Sequence, residues 1–216
     1  MAYDLIVFDW DGTLMDSIGT IVKCAQRALS DLDLPAAQDQ DIRDLVGLRL
    51  MTIAGQLTGG GADLQERFVE TYSYHWRHTF HGDAMPVGAA GATLEQLESR
   101  GQMMAVATGK SRRGLESDFD RMDFRRFFAT SRTVDESPSK PSPAMLLEIM
   151  DELGTRPAST LMVGDTTHDV LMAVSAGVPA VGVLTGSHDA DRLRSAGAVV
   201  CLEHIGQLVD WLDGRG

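Results

Sequence analysis

The segment that most constrains the fold is Tyr3-Asp4-Leu5-Ile6-Val7-Phe8, followed at once by Asp9-Trp10-Asp11-Gly12. The run is mostly apolar and rich in strand formers, so it reads as a strand covered on both faces, as in a parallel α/β sheet. Its partners lie far along the chain. From residue 86 onward, helix 89–100, strand 103–108, helix 112–122 and a short strand 127–130 follow one another. Helix 143–153, strand 160–164, helix 168–176 and strand 180–184 come next, an alternation that means a parallel sheet with crossover helices. Between the first strand and this region only helical patterns occur, over 17–32, 39–46, 50–57 and 62–80. The expected architecture is therefore an α/β core built from residues 1–15 and 86–216, with residues 16–85 inserted as an α-helical cap domain. An insertion at a strand's carboxyl end hangs over the ligand crevice and is placed to act as a lid.

Composition narrows the function. The formal charge of −12 argues against a nucleic-acid partner, although a local cation can still draw a small anion into a site. No apolar run reaches the roughly 18 residues of a membrane span, and no secretory signal is visible. Two cysteines, Cys24 and Cys201, lie far apart, so reduced thiols in a cytoplasm are the simple expectation. Of 19 basic residues only Lys23, Lys110 and Lys140 are lysines, which makes each lysine worth attention.

Four stretches at strand ends carry candidate chemistry. Asp9 and Asp11 are either a solvated Asp-Gly turn or a cation site at the end of the first strand. Thr108-Gly109-Lys110-Ser111 offers a hydroxyl and free N–H groups at a helix start, either as an anion site or as a plain helix cap. It lacks the glycine that a nucleotide-binding P-loop needs at the position of Met104. Lys140 precedes Pro141 and Pro143 in a stiffened segment, where it is either a surface lysine or a fixed cation. Asp165 ends another apolar strand and Asp169 follows four residues later; a helix cap accounts for Asp165 alone, but both can face one crevice. Together these stretches supply carboxylates suited to Mg²⁺, with a lysine and a threonine to complete a phosphoryl clamp.

The set Asp9-Trp10-Asp11-Gly12-Thr13, Thr108-Gly109, Lys140-Pro141 and Gly164-Asp165…Asp169 resembles the four motifs of the haloacid dehalogenase superfamily, in order and across nearly the whole chain. The helical insertion resembles the subfamily with a helical cap, and "TGKSRRGL" and "VGDTTHDVLMAVSAGVPAVGV" look most like phosphoglycolate phosphatase-type members. The resemblance implies a flavodoxin-like (Rossmann-type) core with strand order 5-4-1-2-3 and Mg²⁺-dependent hydrolysis of a small phosphorylated metabolite, by a monomer or homodimer. It implies Asp9 as nucleophile, Asp11 as general acid and base, Thr108 and the Gly109 amide as phosphoryl ligands, and Lys140 as the neutralising cation. Asp9, the Asp11 carbonyl and Asp165 would hold Mg²⁺, with Asp169 supporting the metal or Lys140.

Rival chemistries on the same motifs differ in what they need. A haloacid dehalogenase lacks the second aspartate, so Asp11 argues against it. A phosphonoacetaldehyde hydrolase needs a cap lysine, and Lys23 reads better as a solvated helix face. A β-phosphoglucomutase keeps all four motifs and remains the alternative enzyme, beside a pyrophosphatase; a non-catalytic binding module is the alternative of another class. His75, His78 and His81 read as a polar helix end, since Mg²⁺ does not favour imidazole. Arg43 and Arg49 are the candidates for contact with the substrate's distal group.

Overall fold

The computed structural model describes residues 3–80 and 82–214; His81 lies outside them. The opening strand β1 (Leu5–Phe8) runs into a two-residue strand β2 (Met15–Asp16), then helices α1 (Ile18–Asp31), α2 (Asp39–Arg43), α3 (Leu50–Thr58) and α4 (Ala62–His78). Strand β3 (Met85–Pro86), helix α5 (Ala90–Ser99), β4 (Met103–Thr108), α6 (Arg112–Met122) and β5 (Thr130–Thr133) follow. The chain continues through α7 (Ala144–Leu153), β6 (Thr160–Gly164), α8 (Thr167–Ser175) and β7 (Ala180–Val183), and then through α9 (Ala190–Ala196), β8 (Val200–Leu202) and α10 (Leu208–Asp213).

Six strands form one parallel sheet in the order β5-β4-β1-β6-β7-β8. The five-strand order implied by the resemblance is present within it, extended by β8 as an additional edge. β1 sits in the middle, and its residues alternate between two cores, as the pleat requires. Ile6 and Phe8 pack with Met104, Val106, Leu161 and Val163 on one face. Leu5 and Val7 pack with Ala105, Ala107 and Met162 on the other. Burial on both faces explains the unbroken apolar run that opens the chain. The register pairs Phe8 with both Val106 and Val163, which brings Asp9, Thr108 and Asp165 to one edge of the sheet.

Helices α1–α4 bury a third cluster of their own, with Ile18, Ile21, Val22, Ala25 and Leu29 of α1 against Ile42, Ala54 and Phe68. The chain enters and leaves these helices through β2 and β3, which pair antiparallel, Met15 opposite Pro86 and Asp16 opposite Met85. The two crossing points are thus tied together.

Three local expectations need correction. The strand expected at 127–130 lies at Thr130–Thr133, because Arg125–Phe127 forms a 3₁₀ turn. Phe127 and Phe128 are apolar for another reason: they join Phe119, Phe124 and Trp10 in an aromatic cluster, with Trp10 edge-on to Phe119 at 5.1 Å. The helix expected over 39–46 stops at Arg43. His75, part of the polar helix end, is buried, its Nε2 2.7 Å from Asp31 Oδ2 and its Nδ1 2.8 Å from Thr79 Oγ1.

Candidate active site

Trp10 turns into the aromatic cluster, and its Nε1 donates to Asp118 Oδ2 at 2.9 Å. Asp9 and Asp11, on either side of it, both line a cleft of about 570 Å³ between the sheet edge and helices α3 and α4. Asp9 forms its buried floor: the Asp9 N–H continues the β1–β6 ladder to the Val163 carbonyl at 2.9 Å, and the residue is 1% exposed.

Behind Asp9 lie Lys140, Asp165 and Asp169, all buried. Lys140 Nζ is 2.6 Å from Asp9 Oδ1 and 2.6 Å from Asp169 Oδ1. These are buried ion pairs. Among the described residues both oxygens of Asp9, Lys140 Nζ and Asp169 Oδ1 lack a hydrogen-bond partner. The remaining oxygens are held firmly. Asp165 accepts from Thr13 Oγ1 and from the Ser187 N–H, each at 2.9 Å. Asp169 Oδ2 accepts from the Thr166 N–H at 3.0 Å and from its hydroxyl at 2.7 Å, closing a capping box at the start of α8. Gly12, at φ +82°, is required here, because a Cβ on it would overlap the Asp165 carboxylate.

The electrostatics follow from this crowding. Burial pushes the Asp9 carboxyl well above the usual range; Asp169 pushes it further, and Lys140 pulls it back. Burial and the charge of Asp169 raise Asp165 to about 7. Burial opposes the charge on Lys140, but Asp169 and Asp9 outweigh it and hold the lysine protonated. Asp9, Asp165 and Asp169 offer oxygens within 4.8 Å of one another, so three carboxylates face a single lysine. The uncompensated charge, the unpartnered oxygens and the all-oxygen donor set fit a hard divalent cation such as Mg²⁺.

Thr108 ends β4, and its Oγ1 accepts from the Lys110 N–H at 3.1 Å, which leaves the hydroxyl proton free to donate. Gly109 follows at the cleft wall. A Cβ there would overlap the backbone carbonyl of Gly47, so only glycine lets the loop before α3 approach this turn. Arg49 lines the cleft and its N–H donates to Ser139 Oγ at 3.2 Å, whereas Arg43 is not among the lining residues. Lys23 is exposed and pairs with Asp83 at 3.2 Å, outside the cleft.

The surroundings of Asp11 have no counterpart in the sequence pattern. Asp11 Oδ1 accepts from Ser17 Oγ at 2.7 Å and from Lys110 Nζ at 3.1 Å. Lys110 also pairs with Asp118 at 3.3 Å and lies over the Trp76 ring at 4.3 Å. The scarcity of lysines pointed to Lys110, but its partners come from α4 and α6, at separations that no local motif records.

A family model described as haloacid dehalogenase-like hydrolase matches residues 6–183. A probable phosphatase, IndB, of Dickeya dadantii is 33% identical over 213 residues, covering 95% of this chain and 91% of that protein. A phosphoglycolate phosphatase of Vibrio parahaemolyticus is 26% identical over 95% of this chain and 94% of its own. The crystal structure of a hydrolase from Pseudomonas syringae superposes with a TM-score of 0.89 at 24% identity, covering 99% of each chain. The chain belongs to the haloacid dehalogenase-like hydrolase family. Within it, the protein is a phosphoric monoester hydrolase of the phosphoglycolate phosphatase-like kind. Among the described residues no helix is long and apolar enough to cross a membrane.

Proposed function

We propose that the protein is a Mg²⁺-dependent phosphatase that hydrolyses small phosphorylated acids, phosphoglycolate being the reference case, through a phosphoryl group carried on Asp9. Residues 16–85 act in this reading as a cap over a core of residues 1–15 and 86–216. The observation that carries it is the state of Asp9: a buried carboxylate with one oxygen paired to Lys140 and no hydrogen-bond partner for the other, facing the cleft.

An Asp9 oxygen attacks phosphorus, and the ester P–O bond breaks as the new bond forms. Asp11, at the cleft wall, gives a proton to the departing alkoxide, then takes one from the water that attacks the phosphoryl-aspartate. That attack breaks the bond to Asp9 and releases inorganic phosphate. The Thr108 hydroxyl and the Gly109 N–H hold the phosphoryl oxygens, and Lys140 neutralises charge that grows on them in the transition state. Asp9, the Asp11 carbonyl and Asp165 would hold Mg²⁺, with Asp169 beside them. The ion supplies positive charge that lets two anions, Asp9 and the phosphate, approach one another.

The test is hydrolysis of p-nitrophenyl phosphate with Mg²⁺ and with excess chelator. Turnover that vanishes with chelator and returns with Mg²⁺ is expected, and undiminished turnover in chelator overturns the proposal. A panel including phosphoglycolate, pyrophosphate and β-glucose 1-phosphate decides the substrate. Conversion of the last to the 6-phosphate faster than phosphate release would replace this reading with a mutase.

A further inference from the structure

The walls of the cleft are not those expected for a two-carbon acid. Its volume of about 570 Å³ falls in the range of roughly 300–1,000 Å³ that holds drug-sized ligands. Leu50 and Ile53 of α3 and Val69, Tyr72 and Trp76 of α4 line it, and the Tyr72 and Trp76 rings lie within 14° of parallel. Outward from Asp11 come Lys110 and then Trp76. Arg77 follows Trp76 along α4, and Arg113 faces the same cleft from the first turn of α6. Both arginines are exposed at the rim, whereas Asp9 is buried at the floor.

The charges on the wall beside Asp11 are already matched. Lys110 is held between Asp11 and Asp118, Asp118 also receives Trp10 and Arg121, and Asp135 accepts from the Arg112 N–H. A substrate carboxylate close to the phosphate therefore meets no free ammonium at Lys110. The side chains of Arg77, Arg113 and Arg49, by contrast, have no ion pair or hydrogen-bond partner among the described residues. The neighbouring Arg112 is paired to Glu136 and Glu116. In a chain with 31 acidic residues and a formal charge of −12, these three guanidinium groups on one cleft are available to an anion that arrives from outside, and Arg77 and Arg113 are the two that stand on helices α4 and α6.

We propose that the cleft selects phosphomonoesters with a second anion at the far end, separated from the phosphate by an apolar or planar body longer than that of phosphoglycolate, and that Arg77 and Arg113 receive that anion. The inference rests on the phosphatase reading above and deepens it. The phosphate sits at the floor against Asp9, the body lies along Trp76 and Tyr72, and the second anion reaches the rim. Guanidinium suits either a carboxylate or a phosphate there.

The test uses the Mg²⁺-loaded enzyme and phosphomonoesters of ω-hydroxy acids of two, four and six carbons, each beside the ester of the uncharged alcohol of equal length. The ratio of kcat/KM, acid over neutral, is expected to grow with length and to reach roughly tenfold or more for the longer acids. In the double variant Arg77→Gln/Arg113→Gln that ratio falls toward one, and Arg77→Lys/Arg113→Lys restores part of it. A ratio that is flat across the series, or that is largest at two carbons, overturns the inference, as does a ratio that the glutamine variant leaves intact. p-Nitrophenyl phosphate separates the two levels. Mg²⁺-dependent turnover of it without any acid preference removes only this inference, while no turnover removes the phosphatase reading as well.

Discussion

Lys140 Nζ lies 2.6 Å from Asp9 Oδ1 and 2.6 Å from Asp169 Oδ1, with all three residues buried. Taking away one partner of a buried ion pair typically costs about 3–5 kcal/mol, because it leaves the other charge uncompensated. Lys140→Met would leave Asp9, Asp165 and Asp169 together without an internal cation. Urea unfolding in chelator is expected to show a loss of that size, with Mg²⁺ recovering part of it. Turnover should fall by about 10²–10³, the usual effect of losing one transition-state donor. A variant as stable as wild type in chelator, with no response to Mg²⁺, would contradict the charge balance described here.

Asp9 and Asp11 should fail in different ways when each is changed to asparagine. With Asp9 as the proposed nucleophile and metal ligand, the amide at position 9 is a poor nucleophile and uncharged, so no phosphoenzyme should form. At position 11 the backbone carbonyl is untouched and only the proton carrier is lost, an effect of about 10²–10⁴-fold. p-Nitrophenolate needs little protonation as it leaves, so Asp11→Asn should still accept a phosphoryl group and then release it slowly. Rapid-quench measurement of protein-bound phosphate distinguishes the two. Phosphoenzyme in Asp9→Asn, or none in Asp11→Asn, would undo this division of labour.

Much of this arrangement is legible in the chain because strands buried on both faces must be continuous apolar runs. Leu5–Phe8, Met103–Thr108 and Thr160–Gly164 announce themselves, and with them the strand ends where Asp9, Thr108 and Asp165 stand. What stayed hidden has little periodicity or long reach. β2 and β3 have two residues each and β8 has three, too few for an alternating pattern. The Phe127-Phe128 pair imitates a strand while serving an aromatic cluster. Lys110 finds Asp118 and Trp76 through tertiary packing alone. Arg43 and Arg49 could not be separated by sequence, since only the position of the loop before α3 decides which one lines the cleft.

Gly109 tests how closely the loop before α3 and the turn after β4 must meet. A Cβ at this position would overlap the Gly47 carbonyl oxygen and stand 2.6 Å from its carbon and 2.9 Å from the Leu48 oxygen, all backbone atoms with no rotamer to give way. Gly109→Ala should push the two loops apart by a fraction of an ångström to about 1 Å, and misplacement on that scale can cost about 10²-fold in rate. Overpacking itself typically costs about 1–3 kcal/mol. Steady-state kinetics beside urea unfolding should therefore show a large loss in kcat/KM with a modest loss in stability. Unchanged kinetics would mean that this approach is not needed for turnover.

His188 gives the fold a pH dependence that can be isolated. Its Nδ1 accepts the Thr167 N–H at 2.9 Å, which places the ring proton on Nε2, 3.7 Å from Asp44 Oδ1. The side chain is fully buried, and burial, reinforced by Arg192 and His168, pushes its pKa down to about 4. An unfolded histidine titrates near 6.5. Between those values the unfolded chain binds the proton and the folded chain does not, so stability from this group falls as pH drops from about 6.5 to about 4. The full gap corresponds to about 3 kcal/mol. In His188→Asn the side-chain carbonyl can still accept the Thr167 N–H, but nothing titrates. Urea unfolding at pH 7, 5.5 and 4.5 should find wild type ahead of the variant at pH 7, with its lead shrinking as the pH falls. A lead that stays constant over that range would show that His188 is not held neutral by the fold.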